Sequence, residues 1–387
     1  MEQGLKLPEH FESYAEARKK GFIRLKELKA KGTRVVGIFC TFVPTELIYA
    51  AGAVPVGLCS TSEEAIPAAE SRLPRNLCPL IKASYGMALT DTCPYFYFSD
   101  FIVGETTCDG KKKMFELMNE LKETYVIQLP YRRDESAVAY WKEQLKMFRR
   151  KLEDFYGVTI TEDDIRRSIR RTNAERRTML AFLELGKLDP SPLTGYELGT
   201  TLESGKFSFD LEERCARVAK RTAEVRQMWH DTMEGQPSER PRVLVTGCPN
   251  GGVREKVLRA VEELGGDVVA FDTCNGIRDK TELVDEANPD VFDALARKYL
   301  NLNCSIMSPN TKRITEMAQM IDDYRVDGVI DIILQSCHTF DIEAYYVKQM
   351  VTGEKGIPYL SIETDYSASD TGQINTRLAA FLETIDK

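Results

Sequence analysis

Histidine and long hydrophobic runs are the features that this sequence most lacks. Only three histidines occur among 387 residues, His10, His230 and His338, so a zinc site of mixed Cys and His ligands is poorly supplied. The longest uncharged apolar run, LIYAAGAVPVGLC, is broken by Pro55 and is too short to cross a bilayer. The amino-terminal residues contain no apolar segment of the signal-peptide kind. We therefore expect a cytoplasmic protein with no membrane partner.

The sequence also lacks an excess of basic residues and an intact nucleotide-binding motif. The chain has 60 acidic and 52 basic residues, and its net charge of −8 is opposite in sign to that of a typical nucleic-acid surface. GTTLESGKF resembles a phosphate-binding loop, but Phe207 stands where a magnesium-binding Ser or Thr is needed. GCPNGG departs from the dinucleotide-binding pattern G-x-G-x-x-G. We expect no nucleic-acid partner, and any requirement for ATP must be met by another protein.

Cysteine, in contrast, is abundant. The ten cysteines are Cys40, Cys59, Cys78, Cys93, Cys108, Cys215, Cys248, Cys274, Cys304 and Cys337. Cytoplasmic thiols stay reduced, so a disulfide scaffold does not fit a chain of this size. No two cysteines lie closer than 15 residues, which excludes a C-x-x-C redox pair and a local zinc ribbon. Any single cysteine could still be a small core residue.

Apolar, β-branched runs alternate with helical patterns in both the first and the last third of the chain. The predicted strands are 34–40, 53–59, 101–108, 125–130, 241–248, 267–274, 328–337 and 358–364. This alternation predicts an α/β fold with two Rossmann-like, mostly parallel-sheet domains. The predicted helices of the second domain include 252–264, 311–325 and 371–385, the last with a capping box formed by Asp370 and Gln373.

The middle of the chain has a different character. Residues 136–238 show helical apolar spacing with dense mixed charge, which predicts a helical connector with solvated charged faces. The predicted domains are therefore residues 1–135, with amino-terminal helices and the first α/β domain, the connector 136–238, and the second α/β domain 239–387.

Six cysteines end predicted strands: Cys40, Cys59, Cys108, Cys248, Cys274 and Cys337. Ligands of open parallel sheets bind beyond the carboxyl ends of the strands, so two facing sheets would direct these thiols into one cleft. Thiolates that converge without histidines suit iron–sulfur clusters best. We therefore expect a metal cluster in the cleft between the two domains.

Several long motifs point to a known superfamily. FVPTELIYAAGAVPVGLC, LPRNLCPLIKASYG, CPYFYFSDFIVGETTCDGKKKMFEL and the segment from ILQSCHTFDIE to IPYLSIETDYSASDTGQINTRLAAFLE resemble the 2-hydroxyacyl-CoA dehydratase and benzoyl-CoA reductase superfamily. Within it, TGCPNGGVREKVLRAVEELGG, TCNGIR and LNCSIMSPN are most similar to the double-cubane cluster proteins, stand-alone relatives of the dehydratase subunits.

The resemblance implies a set of cluster ligands. Dehydratase subunits hold one [4Fe–4S] cluster through three cysteines, which match Cys78, Cys108 and Cys337 here. Double-cubane proteins bind an [Fe8S9] cluster through six. The predicted metal ligands are therefore Cys78, Cys108, Cys248, Cys274, Cys304 and Cys337, with Cys40 as the alternative to Cys248. One departure is Ile306, which stands where relatives often carry a second cysteine.

The resemblance also implies a function. Members of this superfamily receive low-potential electrons from a separate, homodimeric activator that hydrolyses ATP and carries its own [4Fe–4S] cluster. We therefore predict an iron–sulfur oxidoreductase component, itself a homodimer, that reduces a small molecule. One alternative is the [4Fe–4S] subunit of a radical 2-hydroxyacyl-CoA dehydratase with an acyl-CoA pocket. The other is a non-catalytic electron store.

Protons must accompany the electrons in such a reduction. His338 follows Cys337 directly and is the candidate catalytic residue, either as a proton donor or as a hydrogen-bond donor to the cluster. The alternative for His338 is a core histidine satisfied by backbone groups.

Overall fold

Two parallel sheets organise the chain in this computed structural model, which describes residues 14–204, 208–236, 238–249, 251–274 and 276–385. The strands of the first sheet are β1 (Arg34–Ile38), β2 (Ala53–Gly57), β3 (Phe101–Glu105) and β4 (Thr124–Ile127). Those of the second are β5 (Arg242–Gly247), β6 (Asp267–Asp272), β7 (Gly328–Leu334) and β8 (Tyr359–Thr364). All eight coincide with predicted strands, and the predicted α/β fold with two Rossmann-like sheets is confirmed.

The two sheets share one topology. Their strand orders are β2-β1-β3-β4 and β6-β5-β7-β8, and every pairing among them is parallel. The chain moves outward from β1 to β2 and then returns to the other side of β1 as β3, and the second sheet repeats this with β5, β6 and β7. Each sheet therefore has a switch point, between β1 and β3 and between β5 and β7, where ligands of such sheets bind.

Helices cover both sheets and fill the connections. The α-helices before the second sheet are α1 (Tyr14–Ala30), α2 (Thr45–Ala50), α3 (Ile66–Ala69), α4 (Pro79–Leu89), α5 (Pro94–Phe98), α6 (Asp109–Leu121), α7 (Glu135–Tyr156), α8 (Glu162–Leu183), α9 (Gly195–Ser204) and α10 (Leu211–Thr232). Those that follow are α11 (Arg254–Glu263), α12 (Val291–Leu300), α13 (Thr311–Asp323), α14 (His338–Gln349) and α15 (Thr371–Glu383). Short 3₁₀ turns occupy Glu63–Ala65 and Glu184–Lys187, and a π-helical turn occupies Met350–Glu354.

The apolar core runs from one sheet to the other. One cluster of buried side chains contains Val35 and Ile102 of the first sheet together with Val243 and Ile330 of the second. A second cluster packs α7 and α12 on the opposite face of the first sheet, around the fully buried Trp141. Since burial of apolar surface is the main stabilising contribution to folding, this continuous core holds the two sheets in a defined relation.

The helices of the predicted connector do more than join the sheets. About half of their charged side chains are exposed, as predicted, but Asn173 and Arg176 of α8 are buried. Arg176 forms an ion pair with Glu46 of α2 and a hydrogen bond with the hydroxyl of Tyr299 of α12. For these two residues the prediction of a solvated helix face is wrong, because they are paired inside the molecule.

Local signals at the helix ends are partly misleading. Asp370 precedes α15, but its side chain makes no capping bond; it accepts hydrogen bonds from Lys256 and Thr364 instead. A capping box is present at α8, between Thr161 and Asp164. Within the described residues, no helix combines the length and the apolar character that crossing a membrane requires.

Candidate metal centre

Cysteines flank the switch point of each sheet. Cys40 and Cys108 follow β1 and β3, while Cys248 and Cys337 follow β5 and β7. The strands end one to three residues before these cysteines, so the thiols lie in the connections and not, as predicted, at the last strand positions. Both switch points thus present thiols at the edge where ligands of parallel sheets bind.

Three thiols meet in what we call the first thiol group: Cys78, Cys248 and Cys337. Hydrogen bonds from the thiols of Cys248 and Cys78 lower the pKa of Cys337 to about 3. The same contact with Cys337 raises the pKa of Cys78, and burial raises that of Cys248. The backbone N–H of Leu334 donates to Cys248 Sγ over 3.3 Å. Thiols from the first and second halves of the chain therefore lie close together.

Helix starts present three of the predicted ligands. Cys78, Cys108 and Cys337 are the residues that immediately precede α4, α6 and α14, where unpaired backbone N–H groups favour negative charge. The first turn of α6 packs against the start of α4, because a side chain at Gly110 would meet Ile81 Cδ1 at 2.7 Å. Cys108 is thereby held beside the segment that carries Cys78.

A second thiol group consists of Cys40, Cys274 and Cys304. Burial raises the pKa of Cys304 to about 12, and the nearby thiol of Cys274 contributes to this rise. Burial also raises the pKa of Cys40, to which Cys304 and Cys274 both contribute. This group again combines the two sheets, since Cys40 follows β1 and Cys274 follows β6.

Hydroxyl groups join the two thiol groups. Ser305, next to Cys304, lies 3.0 Å from the hydroxyl oxygen of Thr339, measured between the two side-chain oxygen atoms. The Thr339 side chain also hydrogen-bonds Cys337 and lowers its pKa. The two groups are thus neighbours across one short Ser–Thr contact.

A clamp from the first half of the chain holds the Cys304 loop. The guanidinium of Arg133 donates to the carbonyl oxygens of Leu300, Leu302 and Pro309 over 3.0 to 3.2 Å. Asn310 donates to the carbonyl oxygen of Cys304 over 3.1 Å. These bonds fix the backbone on both sides of Cys304.

Two buried cations face the second thiol group. Arg278 donates to Asp272 and has its Nη1 atom 3.9 Å from Cys274 Sγ. Burial alone would lower the pKa of Lys111, but the neighbouring Cys59, Cys40 and Glu105 raise it. Lys112 and Lys113 are exposed, as a solvated helix face predicts, whereas that prediction is wrong for Lys111.

A buried carboxyl group completes these surroundings. Glu105 ends β3 and is fully buried, and burial raises its pKa to about 7 against the lowering effect of Lys111. The backbone N–H groups of Val43 and Phe42 point toward it, but neither carboxyl oxygen has a close hydrogen-bond partner among the described residues.

The remaining sequence candidates lie outside the two thiol groups. Cys59 is exposed and donates its thiol hydrogen to the carbonyl oxygen of Phe39, and Cys93 accepts from Phe96 at the start of α5. Cys215 lies on α10. His338 is the first residue of α14 and is exposed, which differs from the core histidine considered as its alternative.

The donor set of the two thiol groups can be compared with what a single metal ion and a cluster require. Among the described residues, no three His, Cys, Asp or Glu side chains are arranged to hold one metal ion. An iron–sulfur cluster takes each thiolate at a different iron, so its ligands need not converge on a point. The hydroxyl of Tyr366, buried beside Cys78 and Cys248, has no hydrogen-bond partner among the described residues. A thiol-held sulfur cluster fits this donor set and this unpaired hydroxyl.

Comparison with known proteins identifies the family of the chain. The family model described as 2-hydroxyglutaryl-CoA dehydratase, D-component, matches residues 40–385. YjiM of Escherichia coli (strain K12), which is named as a dehydratase subunit, is 49% identical over 97% of this chain and 98% of its own. The chain belongs to the 2-hydroxyglutaryl-CoA dehydratase D-component family. The predicted membership of the 2-hydroxyacyl-CoA dehydratase and benzoyl-CoA reductase superfamily is confirmed.

The names of more distant relatives of this dehydratase-family chain state the substrates of those relatives. The (R)-phenyllactyl-CoA dehydratase beta subunit of Clostridium sporogenes is 28% identical over 93% of this chain and 94% of its own. A subunit of benzoyl-CoA reductase from Thauera aromatica is 24% identical over 94% of this chain and 91% of its own. The relatives thus include components of both dehydratases and reductases.

Gly247 positions Cys248 in this dehydratase-family chain. Its φ angle is +106°, and a Cβ atom there would lie 2.1 Å from the carbonyl oxygen of Ile332. Gly247→Ala should lower the free energy of unfolding by about 1–3 kcal/mol or more, because both the backbone angle and the clash must be relieved. Denaturant unfolding of the apo-protein measures this.

Gly372→Ala is the matched control for that change. Gly372 lies in the first turn of α15, and no described atom lies within 4 Å of the position that an added Cβ would take. Alanine there should leave stability unchanged or raise it by roughly 0.4–1 kcal/mol. Equal effects at the two glycines would contradict the role assigned to Gly247.

Proposed function

We propose that this chain is an iron–sulfur reductase component that carries an [Fe8S9] double-cubane cluster. It accepts low-potential electrons from a separate ATP-hydrolysing activator and reduces a small molecule. The observation that carries the proposal is the pair of adjacent thiol groups, each drawn from both sheets and linked through Thr339 and Ser305. A double cubane requires two such groups side by side.

Seven thiols are available for six ligand positions. Cys78 and Cys337, with Cys108 at the start of α6, would hold one half of the cluster. Cys274 and Cys304 would hold the other half, and the sixth ligand would be either Cys40, which lies near them, or Cys248, which lies near Cys337. Both candidates for the uncertain position, Cys248 and Cys40, therefore remain open on this geometry, and substitution separates them.

Residues around the thiols would help such a cluster to accept an electron. A thiolate-held cluster supplies one-electron chemistry at low potential, which depends on charge, hydrogen bonds and burial. Arg278 and Lys111 place positive charge beside the second thiol group. The backbone N–H of Phe340 and the hydroxyl of Thr339 donate to Cys337. Each of these interactions favours an added negative charge in a medium of low dielectric.

ATP hydrolysis belongs to a partner in this proposal. The sequence has no intact phosphate-binding loop, so the activator would be the homodimeric ATPase with its own [4Fe–4S] cluster that the family resemblance implies. We propose further that the chain acts in the cytoplasm as a homodimer. Named relatives are subunits of dehydratases and reductases, which supports the need for a protein partner.

One specific observation favours a second candidate. The relatives with named substrates are dehydratase or reductase subunits for acyl-CoA thioesters, and Cys78, Cys108 and Cys337 alone could hold a single [4Fe–4S] cluster. In that case the chain would be one subunit of a radical 2-hydroxyacyl-CoA dehydratase, and Cys274 and Cys304 would be core residues.

Iron analysis of the anaerobically purified protein tests the proposal. We expect about eight iron atoms per chain, against about four for a single cubane, because each cubane contains about four irons. Iron and sulfide quantitation, with electron paramagnetic resonance of the reduced protein, gives the result. Turnover of a small substrate that depends on both activator and ATP would exclude the non-catalytic electron store.

Single substitutions provide a second test, in which the iron content of each variant is compared with that of the wild type. Cys304→Ala should reduce iron content under the double-cubane proposal and leave the single cubane untouched under the dehydratase alternative. Cys40→Ala and Cys248→Ala then identify the sixth ligand, since only the ligand's loss should reduce iron. Full iron content in Cys304→Ala would contradict the double-cubane proposal.

A further inference from the structure

The Tyr366 side chain occupies a fixed position next to the first thiol group. Tyr366 follows β8, and its ring lies against the backbone of Gly252, where an added Cβ would come within 2.4 Å of Tyr366 Cδ1. The same Cβ would lie 2.9 Å from the carbonyl oxygen of Thr61. The ring therefore packs against the loop after β5, at a place where that loop also approaches a segment from the first half of the chain.

The hydroxyl of this side chain is buried without a partner. Its oxygen is shielded from solvent and makes no hydrogen bond with any part of the chain that the structure describes. Tyr366 belongs to the same buried cluster of side chains as Cys78 and Cys248. Burial raises the pKa of its hydroxyl, and the nearby thiols of Cys78, Cys59 and Cys248 raise it further. A buried hydroxyl without an acceptor is costly, so this position calls for an acceptor beside the thiols.

We propose that the Tyr366 hydroxyl donates a hydrogen bond to a sulfur atom of the cluster held by the first thiol group. This inference rests on the proposed function, because it requires a cluster at Cys78 and Cys337. Tyr366 is a positioning and tuning residue in this scheme, and it takes no part in a bond-forming step.

The consequence is a higher reduction potential. Each electron that enters the cluster adds negative charge, and a hydrogen bond to sulfur stabilises the reduced form more than the oxidised form. Loss of one such charge-assisted bond should change the equilibrium ratio of reduced to oxidised cluster by about tenfold. For a one-electron couple a tenfold change corresponds to about 59 mV.

Tyr366→Phe removes only the hydroxyl oxygen and is the test variant. Tyr359→Phe is the matched control, because Tyr359 also belongs to the second sheet's half but donates its hydroxyl to Asp331 over 2.9 Å. Both proteins are purified anaerobically with their iron, and midpoint potentials are measured by redox titration followed by electron paramagnetic resonance. Unfolding of the apo-forms is measured in parallel.

We expect Tyr366→Phe to keep its iron, to have a midpoint potential lower by about 59 mV, and to unfold in the apo-form no more easily than wild type. Tyr359→Phe should show the reverse: an unchanged potential and a less stable apo-form, because it loses a hydrogen bond within the protein. This pair of readouts separates a bond to the cluster from a bond within the chain.

Three results would overturn the inference. An unchanged potential in iron-loaded Tyr366→Phe would show that the hydroxyl does not reach the cluster, and the proposed function would stand. A destabilised apo-form like that of Tyr359→Phe would show that the hydroxyl is already paired within the protein. Wild-type protein that binds no iron would overturn both this inference and the proposed function.

Discussion

If the chain holds the proposed cluster, Cys337→Ala should lose at least about half of its iron, and all of it if the two halves of the cluster assemble together. Cys337 is the centre of the first thiol group, since the thiols of both Cys78 and Cys248 hydrogen-bond to it. It also stands at the start of α14, where backbone and Thr339 donors converge on its sulfur. This one thiol therefore connects the other members of its group.

The loss of iron should occur without unfolding. Cys337 is only partly buried, and alanine is a small residue that the start of α14 accommodates, so the apo-protein should keep its helical circular dichroism. Visible absorption, iron content and activator-dependent reduction should all decline together. Cys337→Ala that retains wild-type iron and reduction would contradict the proposed metal centre.

Cys215→Ala is the matched control for Cys337→Ala. Cys215 is also partly buried, but it lies on α10 beside Thr178 and Glu175 of α8 and belongs to neither thiol group. This variant should bind as much iron as wild type. Equal losses in the two variants would point to a general effect of removing a thiol and would remove support for a specific role of Cys337.

The sheets could be predicted from the sequence because their strands are nearly all apolar. β3, β5 and β7 are buried along their whole length, and such strands occur as continuous apolar runs that stand out from their surroundings. The predicted runs extend too far at their carboxyl ends because small and polar residues such as Thr107 and Ser336 continue the pattern. Ser336 has a φ angle of +61°, which ends strand geometry just before Cys337.

The grouping of the cysteines could not be predicted from their spacing. Each thiol group joins residues from distant parts of the chain, and periodicity carries no information on which connections face each other across a cleft. Cys40 illustrates this: its place at the end of β1 was predictable, but its approach to Cys274 and Cys304 depends on how the two sheets pack. The family resemblance supplies candidate ligands, and a place in the same sheet together with a branch-typical motif favours Cys248 over Cys40. Neither argument shows that Cys40 approaches Cys274 and Cys304.

Residues that surround the thiols leave weaker signals in the sequence. Arg278 and Tyr366 stand in TCNGIR and ETDYS, motifs whose family resemblance does not single out these side chains. Lys111 is the first of three consecutive lysines and the only one of them that turns inward. Arg176 stands in a dense run of charges. In each case a charged or polar residue is buried because a specific partner is present, and partners are properties of the folded chain.

The largest effect on stability that we expect comes from breaking a buried ion pair. Glu46 of α2 is fully buried and accepts hydrogen bonds from Arg176 of α8 and from the hydroxyl of Tyr299 of α12, both over 2.7 Å. Glu46→Gln would leave the guanidinium of Arg176 buried without its counter-charge. Breaking such a pair costs about 3–5 kcal/mol, so the free energy of unfolding should fall by that amount at neutral pH.

The pH dependence of this difference follows from the pKa of Glu46. Burial is the largest single influence and would raise it, but Arg176, Lys298 and the hydrogen bonds from Tyr299 and the backbone together outweigh burial and lower it from 4.5 to about 2. A carboxyl group with a lowered pKa in the folded state contributes its full stability above 4.5, and this contribution is lost as the pH falls toward 2. The gap between wild type and Glu46→Gln should therefore be constant near neutrality and should narrow below pH 4.5.

Glu135→Gln is the control that separates burial from charge. Glu135 pairs with Arg297 at the surface, with its side chain 79% exposed, so its loss should not measurably change the unfolding curve.

Glu46 also connects the helix after Cys40 to the helix before Cys304, because it lies on α2 and its carboxylate bonds to Tyr299 of α12. Glu46→Gln should consequently weaken iron retention at the second thiol group. A variant that loses stability at every pH by the same amount would contradict the assigned charge pairing.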